Sequence, residues 1–145
     1  MSPDDQRPAT TPVPAEFTDL HALAVEAAAA AYAPYSRYRV GAAGLVDDGR
    51  CVSGCNVENA GYGVTLCAEC GMVSDLVRGG GGRLRRAVCV NGHGQVIMPC
   101  GRCRQLLAEH AAADFLLLTP TGPVPLGGFL PQAFGPSDLE ENDRR

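Results

Sequence analysis

The sequence predicts an α/β domain of three layers, α/β/α, with helices on both faces of a central mixed five-stranded sheet. Two patterns point to it. Runs of strand length bounded by Gly and Asp turns come first, as a hairpin, and stretches with apolar residues at helical spacing then alternate with further strands. Size agrees: 145 residues with 46% hydrophobic side chains suffice for one domain with its own core.

Taken in order, residues 1–15 carry Pro3, Pro8, Pro12 and Pro14 among Ser, Thr and Asp with no apolar period, and are expected to form a disordered leader. The domain is expected to occupy residues 16–135. Its first helix starts near Glu16, repeats apolar residues at Leu20, Leu23, Ala24, Ala27, Ala28 and Ala31, and stops before Pro34. Such an Ala-rich face lets the helix lie tight on a sheet or on another subunit. Tyr35 to Val46 reads as the first strand, Asp47-Asp48-Gly49 as the turn, and Cys51 to Cys55 as the return strand. Asn56 to Leu66 has no period and reads as a loop. Met72, Val73, Leu76 and Val77 mark a helix that Gly79-Gly80-Gly81-Gly82 ends. Arg86 to Val90 and Gln95 to Met98 are strands flanking an Asn-Gly turn, Cys103 to Ala111 is a helix, and Phe115 to Leu118 is a buried strand. A Pro/Gly-rich segment follows, then a polar tail over 136–145.

Twelve Lys and Arg against sixteen Asp and Glu leave a net charge of −4, so no basic face for a nucleic acid emerges. The arginines at 83, 85 and 86 read as a solvated strand entrance. No apolar run approaches a membrane span, and Met1-Ser2-Pro3-Asp4-Asp5 has the form of no secretory signal. Seven cysteines, an odd number, then suggest reduced thiols in the cytoplasm, used for metal or catalysis and not for disulfides.

Where the cysteines fall gives the chemistry. Cys67-Ala68-Glu69 and, further on, Pro99-Cys100-Gly101-Arg102-Cys103 compose the pattern C-x-E…P-C-x-x-C, a signature of zinc-dependent nucleobase deaminases in their three-cysteine form. Three thiolates fill three tetrahedral positions on zinc, the fourth takes water, and a carboxylate beside it moves protons. Both runs open helices, where the helix dipole favours thiolate over thiol. Cys67 and Glu69, two apart, share no face of a regular helix, so Cys67 belongs at the cap. Zinc with three thiolates keeps about one negative charge, which Arg102 and Arg104 can offset. A second reading stands beside this one. Cys70 makes the first run C-x-x-C as well, the form of a closed structural four-cysteine site, and the chain would then be a zinc-stabilised interaction module. Against it, a helix and strands separate the pairs, each pair leads into a helix and not a knuckle, and Glu69 would lack a purpose. The open, catalytic site is the better reading.

Pro34-Tyr35-Ser36-x-Tyr38-x-Val40-Gly41-Ala42-Ala43, Gly54-Cys55-Asn56-Val57-Glu58-Asn59-Ala60, the two cysteine motifs with Arg104 and Gln105, and Leu130-Pro131-x-x-Phe134 come in that order. Together they resemble the small homotetrameric cytidine deaminases that act on free nucleosides, over roughly Leu20 to Leu139. The resemblance implies one Zn²⁺ per chain on Cys67, Cys100 and Cys103, with Glu69 as proton shuttle. It implies that Asn56 and Glu58 hold the ribose hydroxyls, that Ala68 belongs to the substrate site, and that Tyr38 stacks near the base. Tyr62 and Phe134 are implied to line the pocket, Phe134 from a neighbouring subunit. The implied reaction is hydrolytic deamination of cytidine and 2′-deoxycytidine to the uridine forms with release of ammonia, in pyrimidine salvage. A deaminase of a cytosine-containing antibiotic nucleoside, which needs no Asn56/Glu58 grip, stays open as the alternative enzyme. The chain departs from the family pattern twice: Cys70 stands where many relatives carry an Arg that hydrogen-bonds thiolates, and Tyr38 stands where Phe is usual. Cys51, Cys55 and Cys89 are expected to be buried small apolar residues without a role, and His21, His93 and His110 to be surface groups.

Overall fold

The computed structural model describes residues 11–140. The expectations for residues 1–10 and 141–145 lie outside them. Among the described residues, a 3-10 turn at Ala15–Phe17 leads into helix α1 (Thr18–Ala29), followed by strands β1 (Val40–Val46) and β2 (Cys51–Cys55) and helix α2 (Ala68–Arg78). Strands β3 (Leu84–Asn91) and β4 (Val96–Ile97), helix α3 (Gly101–His110), strands β5 (Ala111–Thr119) and β6 (Gly122–Pro125), and the short helices α4 (Leu126–Phe129) and α5 (Pro136–Glu140) complete the chain. Residues 11–15 include Val13, which packs against the core.

The expected α/β class holds, with a mixed sheet between helices, but six strands form the sheet and not five. The order is β2-β1-β3-β5-β6, with β4 paired to β3, and the β3–β5 pair alone is parallel. The uncounted strand is β6. Pro123 and Pro125 disguise it as a loop, yet it lies at the sheet edge, where a strand can lack donors on one side. Helix α3 provides the crossover that parallel pairing of β3 and β5 requires.

Side-chain alternation along the strands sorts the core into two layers. Ala87 and Cys89 of β3 and Phe115 and Leu117 of β5 join Ala68, Met72, Leu76 and Leu107 from α2 and α3. Val88, Val90 and Leu118 face the other way, onto Phe17 of the 3-10 turn and Leu20, Ala24 and Ala28 of α1. The Ala-rich face therefore packs on the sheet. A Cβ on Gly41 would stand 1.9 Å from the Ala24 carbonyl oxygen, so helix and strand meet backbone to backbone. Gly54 does the same under α2, where a Cβ would come within 2.4 Å of the Ala68 carbonyl oxygen.

Two element boundaries moved, for one reason. The first helix ends at Ala29 and the first strand begins only at Val40. Between them, the loop after β2 captures the backbone. Tyr32 exchanges hydrogen bonds with Asn56 and Glu58, Glu58 Oε1 accepts from the Tyr35 and Ser36 N–H groups at 3.0 and 3.1 Å, and Arg37 turns left-handed at φ 58°. Loop side chains outcompete the strand ladder for these donors.

Candidate metal and catalytic site

Two helix N-termini converge to build the site. Cys67 caps α2 and Cys100 caps α3, each with extended backbone (φ −68°, ψ 157° and φ −63°, ψ 165°), so neither side chain follows the helical spiral. Cys103 sits in the first turn of α3, buried. The outcome is a group of three sulfurs, Cys67, Cys100 and Cys103, all within 4.8 Å of one another, with 4.0 Å between the first two. Ligands about 2.3 Å from a tetrahedral ion stand roughly 3.8 Å apart, so the residues present fit a zinc-sized cation.

Electrostatics say what such a cation has to do. Burial pushes the Cys67 thiol up, and the charges of Cys100 and Glu69 add to this. Burial and then the Glu69 carboxylate push Cys103 far higher. Burial acts on Cys100 too, but the Cys103 backbone N–H and the thiols of Cys103 and Cys67 hydrogen-bond it, and it ends below the ordinary thiol value. Alone, the three sulfurs do not all ionise together. A cation between them would supply the missing attraction.

Cys70 is not in the group. It lies half-buried one step along α2, and the Arg102 guanidinium donates to its Sγ at 3.5 Å. Arg104 Nε donates to the Pro99 carbonyl at 2.9 Å. It pins the α3 entrance in place.

A cleft of about 210 Å³ opens beside the sulfurs, lined by Cys67, Ala68, Glu69 and Cys100 together with Asn56 and Thr65. Val40, Ile97, Met98 and Pro99 give it an apolar side. Glu69 is only 4% exposed. The structure thus brings together Glu69, Ala68, Cys67, Cys100 and Asn56, with Cys103 packed behind them.

The remaining sequence-derived residues lie elsewhere in the single chain. Glu58 is not on the cleft lining and points back to the Tyr35–Ser36 backbone. Asn56 shares that duty: its Oδ1 accepts from the Val40 N–H at 2.8 Å and its Nδ2 donates to the Tyr38 carbonyl. Tyr38, 46% exposed, lines a separate hollow with Arg37, Arg39 and His93. Tyr62 is 76% exposed and meets Tyr35 edge-on at 6.1 Å. Phe134, 59% exposed, lies past α3, where Gln105 donates to its carbonyl.

The other cysteines and histidines complete the picture. Cys51 is exposed and Cys55 half-buried, against the expectation of burial, because β2 is an edge strand. His93 is exposed, while His21 is half-buried against the Gly94 carbonyl at 2.8 Å. Cys89 is buried as expected but not idle: its thiol donates to Glu69 Oε1 at 3.0 Å. Burial first, then the Glu69 charge, push this thiol well up, so it stays protonated. Nothing local in the sequence ties Cys89 to Glu69; only the stacking of α2 over β3 does.

Comparison with known proteins agrees with this geometry. Residues 16–119 match the family model described as the cytidine and deoxycytidylate deaminase zinc-binding region. A cytidine deaminase of Mycobacterium tuberculosis is 58% identical over 129 residues, covering 89% of this chain and 97% of that protein. The crystal structure of cytidine deaminase from M. tuberculosis superposes with a TM-score of 0.80 at 57% identity, covering 84% of this chain and 99% of the other. That from Mycobacterium leprae gives 0.79 at 51%, covering 82% and 100%. With its three sulfurs, its buried carboxylate and its mixed sheet, the chain belongs to the cytidine and deoxycytidylate deaminase family.

Proposed function

We propose that this chain is a zinc-dependent hydrolase that converts cytidine and 2′-deoxycytidine to uridine and 2′-deoxyuridine with release of ammonia, serving pyrimidine salvage in the cytoplasm. One observation carries the reading: a buried carboxylate, Glu69, shares a cleft with sulfurs spaced for a zinc ion. The relatives named cytidine deaminase support the choice of substrate.

One zinc per chain, which Cys67, Cys100 and Cys103 would hold, would supply the positive charge that makes water acidic enough to attack at neutral pH. Glu69 takes the proton released from that water. It then delivers that proton to the ring nitrogen next to the amino-bearing carbon, and later takes the proton left on the added hydroxyl and passes it to the departing amine. The water oxygen stays on the ring carbon, the carbon–nitrogen bond breaks, and ammonia leaves. The apolar side formed by Val40, Ile97, Met98 and Pro99 suits the face of a base and keeps bulk water from the carboxylate.

Asn56 and Glu58 hold the ribose hydroxyls with the hydrogen-bonding capacity left after their backbone contacts: an amide and a carboxylate offer both donors and acceptors. Tyr38, Tyr62 and Phe134 complete the pocket across subunits of a homotetramer, which is consistent with their exposure in one chain. Tyr32, Val57, Val64 and Leu66 add exposed apolar surface around the same loop. Among the described residues no helix is long and apolar enough to cross a membrane.

The test is direct. Purified protein incubated with cytidine should lower the ultraviolet absorbance of the base, with one zinc per chain by metal analysis. Light scattering should give about four times the 15.1 kDa chain mass. A protein that binds zinc but leaves cytidine unchanged refutes the substrate; an active monomer refutes pockets shared between subunits.

A further inference from the structure

Cys89 sits in mid-sheet, where β3 changes neighbours. Its strand pairs with β5 up to Val88, and from Cys89 onward with β4. Its own partners across the sheet are Ala42 on β1 and Ile97 on β4, neither of which has a side-chain donor. Above it, α2 is held close: a Cβ on Gly54 would collide with the Ala68 carbonyl and the Met72 amide at 2.4 Å. That close approach lowers the first turn of α2 until the Glu69 carboxylate reaches the sheet. There the Cys89 thiol donates to Oε1 at 3.0 Å, and both side chains are shielded from solvent.

From this geometry we propose that Cys89 is a positioning residue for Glu69: its thiol fixes Oε1 on the sheet side and leaves Oε2 as the oxygen that handles the substrate's protons. The proposal rests on the deaminase reading given above. Cys103 also lies against Glu69. Once it binds a cation as thiolate, however, it has no proton to give, so the donor role falls to Cys89. A thiol suits the task because it is a weak donor. It orients the carboxylate without tying up the basicity that a proton shuttle needs. A carboxylate free to rotate in the cleft would spend part of its time with neither oxygen aligned, and small misplacements at a reacting centre are costly.

The test uses the full-length protein and the Cys89→Ala, Cys89→Ser and Cys89→Val variants, with kcat, KM, zinc content and melting temperature measured for each. Cys89→Ala should lower kcat about tenfold with KM within about twofold and one zinc retained. Cys89→Ser, which restores a donor, should recover kcat to within about threefold of the parent. Cys89→Val fills the space but donates nothing, and should stay as slow as Cys89→Ala. If Cys89 only packs, the order reverses: Val rescues and Ser does not. That result, or an unchanged kcat in Cys89→Ala, overturns the proposal, and the Ser-to-Val comparison decides it even if the Ala variant fails to fold. A parent protein inactive on cytidine overturns the deaminase reading together with this one, whereas an active parent with an indifferent Cys89 overturns this one alone.

Discussion

At the sulfur end of the cleft, Cys67, Ala68, Glu69 and Cys100 meet within one chain, set by two helix caps and backed by buried Cys103 and Cys89. The other set is looser: Asn56 lines the cleft but already holds β1 backbone, Glu58 lies off its lining, and Tyr38, Tyr62 and Phe134 stand exposed in three different places. The contrast separates two tasks. Breaking a bond needs groups held to fractions of an ångström, and helix termini packed on a sheet provide this. Enclosing a substrate needs surface, which loops supply and further copies of the chain can complete. Changes at the first end should therefore act on turnover or metal, and changes at the second on which molecule is accepted.

The largest effect expected is at Glu69. Glu69→Gln keeps size and shape but cannot accept a proton, so turnover should fall on the order of 10²-fold or more, the scale of general acid–base contributions. Zinc content and folding should be unchanged, because the carboxylate is not among the gathered sulfurs. Near-normal turnover in this variant, measured by cytidine absorbance, would remove the mechanism.

Next comes the pH dependence of the metal. The Cys67 and Cys103 thiols lie above the ordinary value without a cation, chiefly from burial. Binding needs them ionised, so it releases protons, and acid opposes it. Zinc affinity should rise with pH and fall by roughly ten- to a hundredfold per unit of acidification, as one or two protons are displaced per ion. Competition with a chelator at stepped pH measures the slope. A flat profile would mean that the sulfurs are not the ligands.

A smaller effect is expected at Glu58. The Ser36 side chain, outweighing the effect of burial, holds the Glu58 carboxyl below the usual carboxylate range, helped by the Ser36 and Tyr35 amides. Glu58→Ala should lower kcat/KM for cytidine by about tenfold, the scale of one lost hydrogen bond to a charged group. The same variant should treat free cytosine as the parent does. Equal losses on both would make Glu58 a pin for the Tyr35–Ser36 backbone and no reader of the sugar.

The same division explains what could be read from the chain in advance. Spacing within a few residues carried the sulfur end: C-x-E and P-C-x-x-C place ligands and carboxylate at helix starts, and the cap at Cys67 follows from the same reasoning, whereas the cap at Cys100 does not show in the spacing. What escaped depends on partners distant in sequence. Cys89 is silent until β3 slides under α2, the irregular stretch before Val40 follows from Asn56 and Glu58 taking its amides, and Pro123 and Pro125 hide β6 because a sheet edge forgives missing donors.

The smallest effect belongs to Cys70, which decides whether the sulfur end is open or closed. A closed four-cysteine site would need Cys70 among the sulfurs, yet among the described residues the gathered set is Cys67, Cys100 and Cys103. Cys70 instead accepts from Arg102, a residue between two of that set on α3. The guanidinium arrives from the facing helix to meet it. Cys70→Ala should thus keep one zinc per chain and change turnover by no more than about twofold, since the lost contact is half-exposed and its guanidinium can turn to water. Cys70→Arg should fare worse than Cys70→Ala, because it sets two guanidinium groups side by side. Adding Arg102→Ala should relieve that variant while leaving the Ala variant alone. Metal analysis of Cys70→Ala is the deciding measurement: loss of zinc would put a fourth sulfur on the ion and leave no open position for chemistry at this end of the cleft.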